Sequence, residues 1–123
     1  RAVSEKEDPG KEEGTLEEMR AALELERNKL IATLDSTIDN SKNDAEKANG
    51  SQTKEKIVGY MENELAIESI IKAKDSFVMI TDSSVNVTVD KQELDTNTVA
   101  KICDIVMRET GKTADKIVIQ SKY

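Results

Sequence analysis

The sequence predicts a small α+β protein: a two-layer sandwich in the order α-α-β-β-α-β, with helices packed on a three-stranded sheet. Three observations lead there. "TDSSVNVTV" (81–89) alternates with period two in its second half, Val85, Val87 and Val89 on one side and Asn86 and Thr88 on the other. That is the pattern of a half-buried strand. "FVMI" just before it, joined through the turn residues Asp82-Ser83-Ser84, completes a hairpin. On either side of the hairpin, apolar residues recur instead at spacings of three, four and seven, as on amphipathic helices.

Taken in order, residues 1–14 ("RAVSEKEDPGKEEG") carry charge, glycine and the single proline, with almost nothing to bury, and read as a flexible linker. The domain is expected over 15–123. "TLEE" opens the first helix, expected over 15–38, as a capping box in which Thr15 and Glu18 satisfy each other's backbone donors. Leu16, Met19, Leu23, Leu30, Leu34 and Ile38 lie along one stripe; Arg27 interrupts it and Leu25 points away. At about 1.5 Å per residue this helix is ~36 Å long. It either packs on its own domain or projects to meet another chain. Residues 39–52 lack apolar side chains longer than alanine and include Asn49-Gly50, a strong turn signal, so they read as a connector, with a short helix over 43–48 ending at Gly50 as the alternative within it. The second helix is expected over 53–74, with Ile57, Tyr60, Met61, Leu65, Ile67 and Ile71 in one sector, Glu64 and Glu68 interrupting it, and "KAK" suited to a helix C-terminus.

The hairpin strands are expected at 77–81 and 85–89. A third helix over 96–110 has Asp95 or Thr96 as N-cap, Leu94 as a staple, Val99, Ile102, Cys103 and Val106 on one face, and Gly111 just beyond its end. "KIVIQ" (116–120) makes the last strand. The second and third strands should run parallel through a right-handed crossover. The preferred sheet places the first strand between them; the order first-second-third is the alternative. Val85, Val87, Val89, Ile117 and Ile119 suit the helix-covered face. Asn86, Thr88 and Val118 mark a second face that the first helix or another molecule covers.

The chain has 123 residues, enough for one small domain plus a tail. Aromatic residues are 2%, so the core is aliphatic. With 18 basic against 25 acidic residues the net charge is −7, which argues against nucleic acid and against an anionic lipid surface. Histidine is absent and there is one cysteine, so the commonest metal ligand, the commonest acid–base residue and an internal disulfide are all missing. The sequence has no Walker loop, GxGxxG, GxSxG or HExxH motif, and no apolar run approaches the roughly 20 residues that span a bilayer. Beginning with Arg, the chain reads as a fragment.

Little chemistry remains to assign. Cys103 falls inside an apolar stripe with no cation cluster to activate it, and reads as a structural thiol. Asp82, Asp90, Glu93 and Asp95 flank the second hairpin strand; paired carboxylates can act as acid and base, but acidic turns are ordinary in so acidic a chain. Asn86-Val87-Thr88 matches the N-glycosylation triplet, yet it lies in a strand. The residues thus point to a non-enzymatic interaction module without cofactor or metal. A KH-type RNA-binding domain is set aside, since the GxxG clamp is missing and the charge has the wrong sign.

The segment "DSSVNVTVDKQELDTNTVAKICDIVMRETGKTADKIVI" (82–119) resembles the end of the stage III sporulation protein AH family, in which a DSVNVxV strand leads into an "L…VAxIxDIVxRETG" helix and an "xKIxI" strand. "ELAIESIIKAK" (64–74) is similar to the family's preceding helix, although Asp75 stands where the family commonly has glycine. The resemblance implies a ring-building-motif fold and no catalysis. It implies the extracytoplasmic part of a single-pass mother-cell membrane protein, anchored through an N-terminal helix not in this chain. There it would bind stage II sporulation protein Q between the two membranes, self-associate into a ring and meet other stage III sporulation channel proteins. Candidate contact residues are Asn86, Thr88, Lys116, Ile117, Val118, Ile119 and Gln120 on the sheet, and Leu25 on the first helix. Two other readings stay open: a ring-building module of a different secretion apparatus, and a hydrolase using the acidic loops.

Overall fold

The computed structural model describes residues 15–71, 75–90 and 94–122. The linker assigned to 1–14, the "KAK" at 72–74 and Glu93 lie outside them. Helix α1 (Leu16–Asn40) begins at Thr15, whose hydroxyl accepts from the Glu18 N–H while the Glu18 carboxylate accepts from the Thr15 N–H. Helix α2 (Asp44–Ile70) is capped by the Asn43 side chain, which accepts from Ala45 and Glu46. Strands β1 (Ser76–Ile80) and β2 (Val85–Val89) form the hairpin, closed by Thr81 N–H donating to Ser84 C=O. Helix α3 (Thr96–Thr110) has Asp95 as N-cap and ends at Gly111, whose φ of 75° is the left-handed cap geometry that glycine adopts without cost. A 3₁₀ turn, Ala114–Lys116, leads into β3 (Ile117–Ser121).

Three helices against a three-stranded mixed sheet give the α+β sandwich that the alternating and helical periods predict. The sheet order is β1-β2-β3, with β1 antiparallel and β3 parallel to β2. This corrects the preferred placement of the first strand in the middle. The physical reason lies in burial and in the far edge of β1. Val85, Val87 and Val89 are fully buried and Thr88 on the opposite face is only 3% exposed, as befits a strand with neighbours on both edges. The other edge of β1 is already occupied by helix side chains, so β3 joins at β2.

The second difference is at the connector. Residues 44–52, read as part of a connector over 39–52 holding at most a short helix at 43–48, belong to α2, and only Ser41–Asn43 separate the two helices. Gly50 is buried inside α2, where an added Cβ would stand 3.0 Å from Ile38 Cγ1 of α1. The glycine marks close approach of two antiparallel helices rather than a turn. Local turn propensity yields here to helix packing.

Val78, Ile80, Val85, Val87 and Val89 of the sheet meet Ile67 and Ile71 of the α2 end and Ile102 and Val106 of α3, with Tyr60, Leu94, Ile105, Ile117 and Ile119 packed around them. Cys103, expected within the apolar stripe of α3, is half-buried. Among the described residues no helix is long and apolar enough to cross a membrane.

Candidate functional site

A three-stranded sheet has two outer edges, and in this chain they are opposite in kind. Register puts Phe77 opposite Thr88 and Met79 opposite Asn86, while the backbone groups of Ser76, Val78 and Ile80 face away from β2. Those outward groups meet charged side chains. The Ile80 N–H donates to Glu64 Oε2 at 2.8 Å, and the Val78 N–H donates to Glu68 Oε2 at 2.9 Å. Arg27 donates to the Ile80 carbonyl at 3.0 Å, and Arg20 donates to the Ser76 carbonyl.

The donors and acceptors of this ladder also hold one another. Arg27 and Glu64 form a two-armed pair, both N···O distances 2.9 Å, at 9% and 6% exposure. Arg20 Nε lies 3.4 Å from Glu68 Oε1, and its NH2 lies 3.4 Å from Asp75 Oδ1. Burial pushes the Glu68 carboxyl up from its ordinary value, more than the Val78 N–H and Arg20 pull it down. Helix and strand repeats make the fit possible. Glu64 and Glu68 are one helical turn apart, about 6 Å, and Ile80 and Val78 are two strand residues apart, about 7 Å. Sequence reasoning saw Arg27, Glu64 and Glu68 only as breaks in apolar faces. The available signal was that these breaks on the two helices carry opposite charges.

The β3 edge is bare by comparison. The Lys122 N–H donates to the Val89 carbonyl at 2.9 Å, so the strand's alternation turns the N–H groups of Ile119 and Ser121 away from β2. Among the described residues no further strand pairs with β3. Val118 is 48% exposed, Lys116, Gln120 and Ser121 are exposed, and Ile117 and Ile119 are half-buried under the helices. Asn86 pairs in register with Val118, and the Gln120 amide donates to the Thr88 hydroxyl at 3.2 Å. Asn86, Thr88, Val118 and Gln120 therefore share one face beside the open edge, although Thr88 itself is buried. Leu25, 58% exposed on α1, is not part of that patch, because α1 packs on α2 and along β1.

The described loop carboxylates, Asp82, Asp90 and Asp95, do not converge. Asp82 sits in the hairpin turn, where Tyr60 donates to it, Lys56 approaches at 3.4 Å and Lys112 donates to its carbonyl. The Tyr60 hydrogen bond, followed by Lys56, holds the Asp82 carboxyl below the usual range, while burial and Asp82 push Tyr60 up to about 12. Asp90 is at the far end of β2, roughly 17 Å along the strand, and Asp95 caps α3. Among the described residues no group of three or more acidic or sulfur ligands is placed to hold a metal ion. A shallow groove of about 500 Å³ lies elsewhere, between α1 and α2, where Lys54 and Asp35 are paired at 2.7 Å.

A family model described as SpoIIIAH-like protein matches residues 2–119. The fold is also similar to a chain in the solved structure of the SpoIIQ-SpoIIIAH pore forming complex, with TM-score 0.77, 18% identity, and coverage of 85% of this chain and 94% of that one. At that identity the likeness is one of fold. No curated protein matches the chain by sequence.

Proposed function

The chain belongs to the SpoIIIAH-like protein family, and from that membership we propose that it is a non-catalytic component of the mother cell–forespore channel in sporulation. It binds stage II sporulation protein Q between the two membranes and associates with further copies of itself into a ring. The observation that carries the reading is the unlike pair of sheet edges on a family-matched fold. A rigid wedge with two different contact surfaces suits head-to-tail closure into a ring. An open edge with free backbone donors and acceptors suits addition of a partner strand. The structure of the SpoIIQ-SpoIIIAH pore forming complex supports the choice of partner. An anchoring helix ahead of this segment would hold the domain in the intermembrane space, with Val118, Gln120 and Asn86 beside the contact edge and Leu25 available to a second contact.

The described loop carboxylates lie apart from one another, so nothing among them favours the hydrolase reading. The test is size-exclusion chromatography with light scattering on a mixture with the extracytoplasmic domain of the same organism's protein Q. A one-to-one complex is expected. Separate elution with both proteins at tens of micromolar, where even a modest interface is populated, would overturn the partner assignment.

A further inference from the structure

From the geometry of β1 we infer that Arg20, Arg27, Glu64 and Glu68 form a side-chain seal that closes the β1 edge to a second copy of this chain and leaves β3 as the strand-accepting edge. Two carboxylates stand where a neighbouring strand would present carbonyls, and two guanidinium groups stand where it would present N–H groups. All four act on outward-facing groups of β1: Ser76 C=O, Val78 N–H, Ile80 N–H and Ile80 C=O. A strand arriving at this edge would have to displace Arg27 and Glu64 from a pair that is itself buried.

The chemistry of the seal points to specificity rather than to stability alone. A buried ion pair is often no more stabilising than apolar residues of similar volume, because its desolvation offsets its attraction. Apolar side chains, however, cannot engage the N–H and C=O of Ile80. They would leave an unsatisfied edge, and unsatisfied edges recruit strands. Two β1 edges are complementary across a twofold axis, so a second copy is the nearest occupant for an unsealed one. A chain with two accepting edges could grow in both directions; with the seal in place, growth by strand addition is restricted to one. The seal needs only the β1 geometry, and it stands or falls apart from the partnership with protein Q.

The experiment is residue-resolved hydrogen exchange on the intact chain, followed by mass measurement of variants. In the unsubstituted protein, Val78 and Ile80 amides should exchange as slowly as the strand-paired amides of β1, and Ile119 and Ser121 much faster. Rapid exchange at both Val78 and Ile80 would overturn the seal. The double variant Arg27→Met/Glu64→Met, folded by circular dichroism, should lose protection at Ile80 in dilute solution. It should also roughly double its mass relative to the unsubstituted chain as concentration rises. The variant Arg20→Met/Glu68→Met makes the same test at the less buried pair, opening Ser76 C=O and Val78 N–H even if the first variant does not fold. A folded variant of either kind whose mass follows that of the unsubstituted chain at every concentration refutes the inference.

Discussion

The two outer strands have the same length and flank the same central strand, yet they meet their surroundings in opposite ways. β1 is bordered by two helices whose charged side chains take the place of a fourth strand. β3 pairs with no further strand on its outer side among the described residues, and its exposed residues are valine, glutamine and serine. The difference shows that helix side chains can engage the outward backbone groups of an edge strand. The glutamates, one helical turn apart, accept from alternate strand residues, and the arginines donate to carbonyls at the two ends of β1. The sheet thereby acquires a direction, which three strands of similar composition do not have by themselves.

The largest effect expected from disturbing this asymmetry comes from breaking one partner of the buried pair. Arg27→Ala leaves the Glu64 carboxylate buried without its counter-ion and the Ile80 carbonyl without its donor. Removal of one member of a buried pair costs about 3–5 kcal/mol, so urea unfolding should show a large fall in midpoint. A loss under ~1 kcal/mol would mean that water reaches Glu64 and that β1 is more open than its hydrogen bonds imply.

At the other edge the expected pattern is reversed, with little change in stability and a large change in association. Val118→Lys places a cation on an exposed position of β3, and surface changes of this kind shift stability by about 0.5 kcal/mol or less. Lysine on an edge strand discourages strand addition. The melting temperature should stay within a few degrees, while the complex with protein Q, or self-association, weakens in sedimentation experiments. Unchanged assembly would move the contact away from β3, with Leu25 the next surface to test.

How much of this was legible in the sequence differs sharply between the two edges. The capping box at Thr15 and Glu18, the alternating valines of β2, and helix α3 with its Asp95 cap and Gly111 terminator are local signals, and neighbours in sequence suffice to read them. Asn49-Gly50 was a local signal too, but a misleading one, because the close approach of Ile38 from another helix determines what Gly50 is for. Strand order could not be chosen from alternation alone, since both candidate orders bury the same valines. Thr88, polar yet buried, is the residue that distinguishes a central strand. The seal was hardest to see. Hydrophobic periodicity treats any charge on an apolar face as an error, and only the tertiary fold brings residues 37 positions apart, Arg27 and Glu64, into contact. Pairing such breaks by sign would have raised the possibility of a ladder.

The smallest effect concerns Glu68, the more exposed rung of that ladder, and it is a matter of sign. Burial raises its folded-state pKa above that of the unfolded chain, so the folded state holds the proton more tightly. Its contribution is therefore fully present below the ordinary glutamate pKa and is lost as pH rises through the folded value. Glutamine at this position cannot titrate and still offers an oxygen to the Val78 N–H. The difference in melting temperature, Glu68→Gln minus the unsubstituted chain, should become more positive between pH 4 and pH 7, other groups cancelling in the subtraction. A difference that instead falls with rising pH would mean that attraction from Arg20 and the Val78 N–H outweighs desolvation. The carboxylate would then be a net stabiliser of the closed edge when ionised, and the upper rung of the seal would resemble the Arg27–Glu64 rung in strength as well as in geometry.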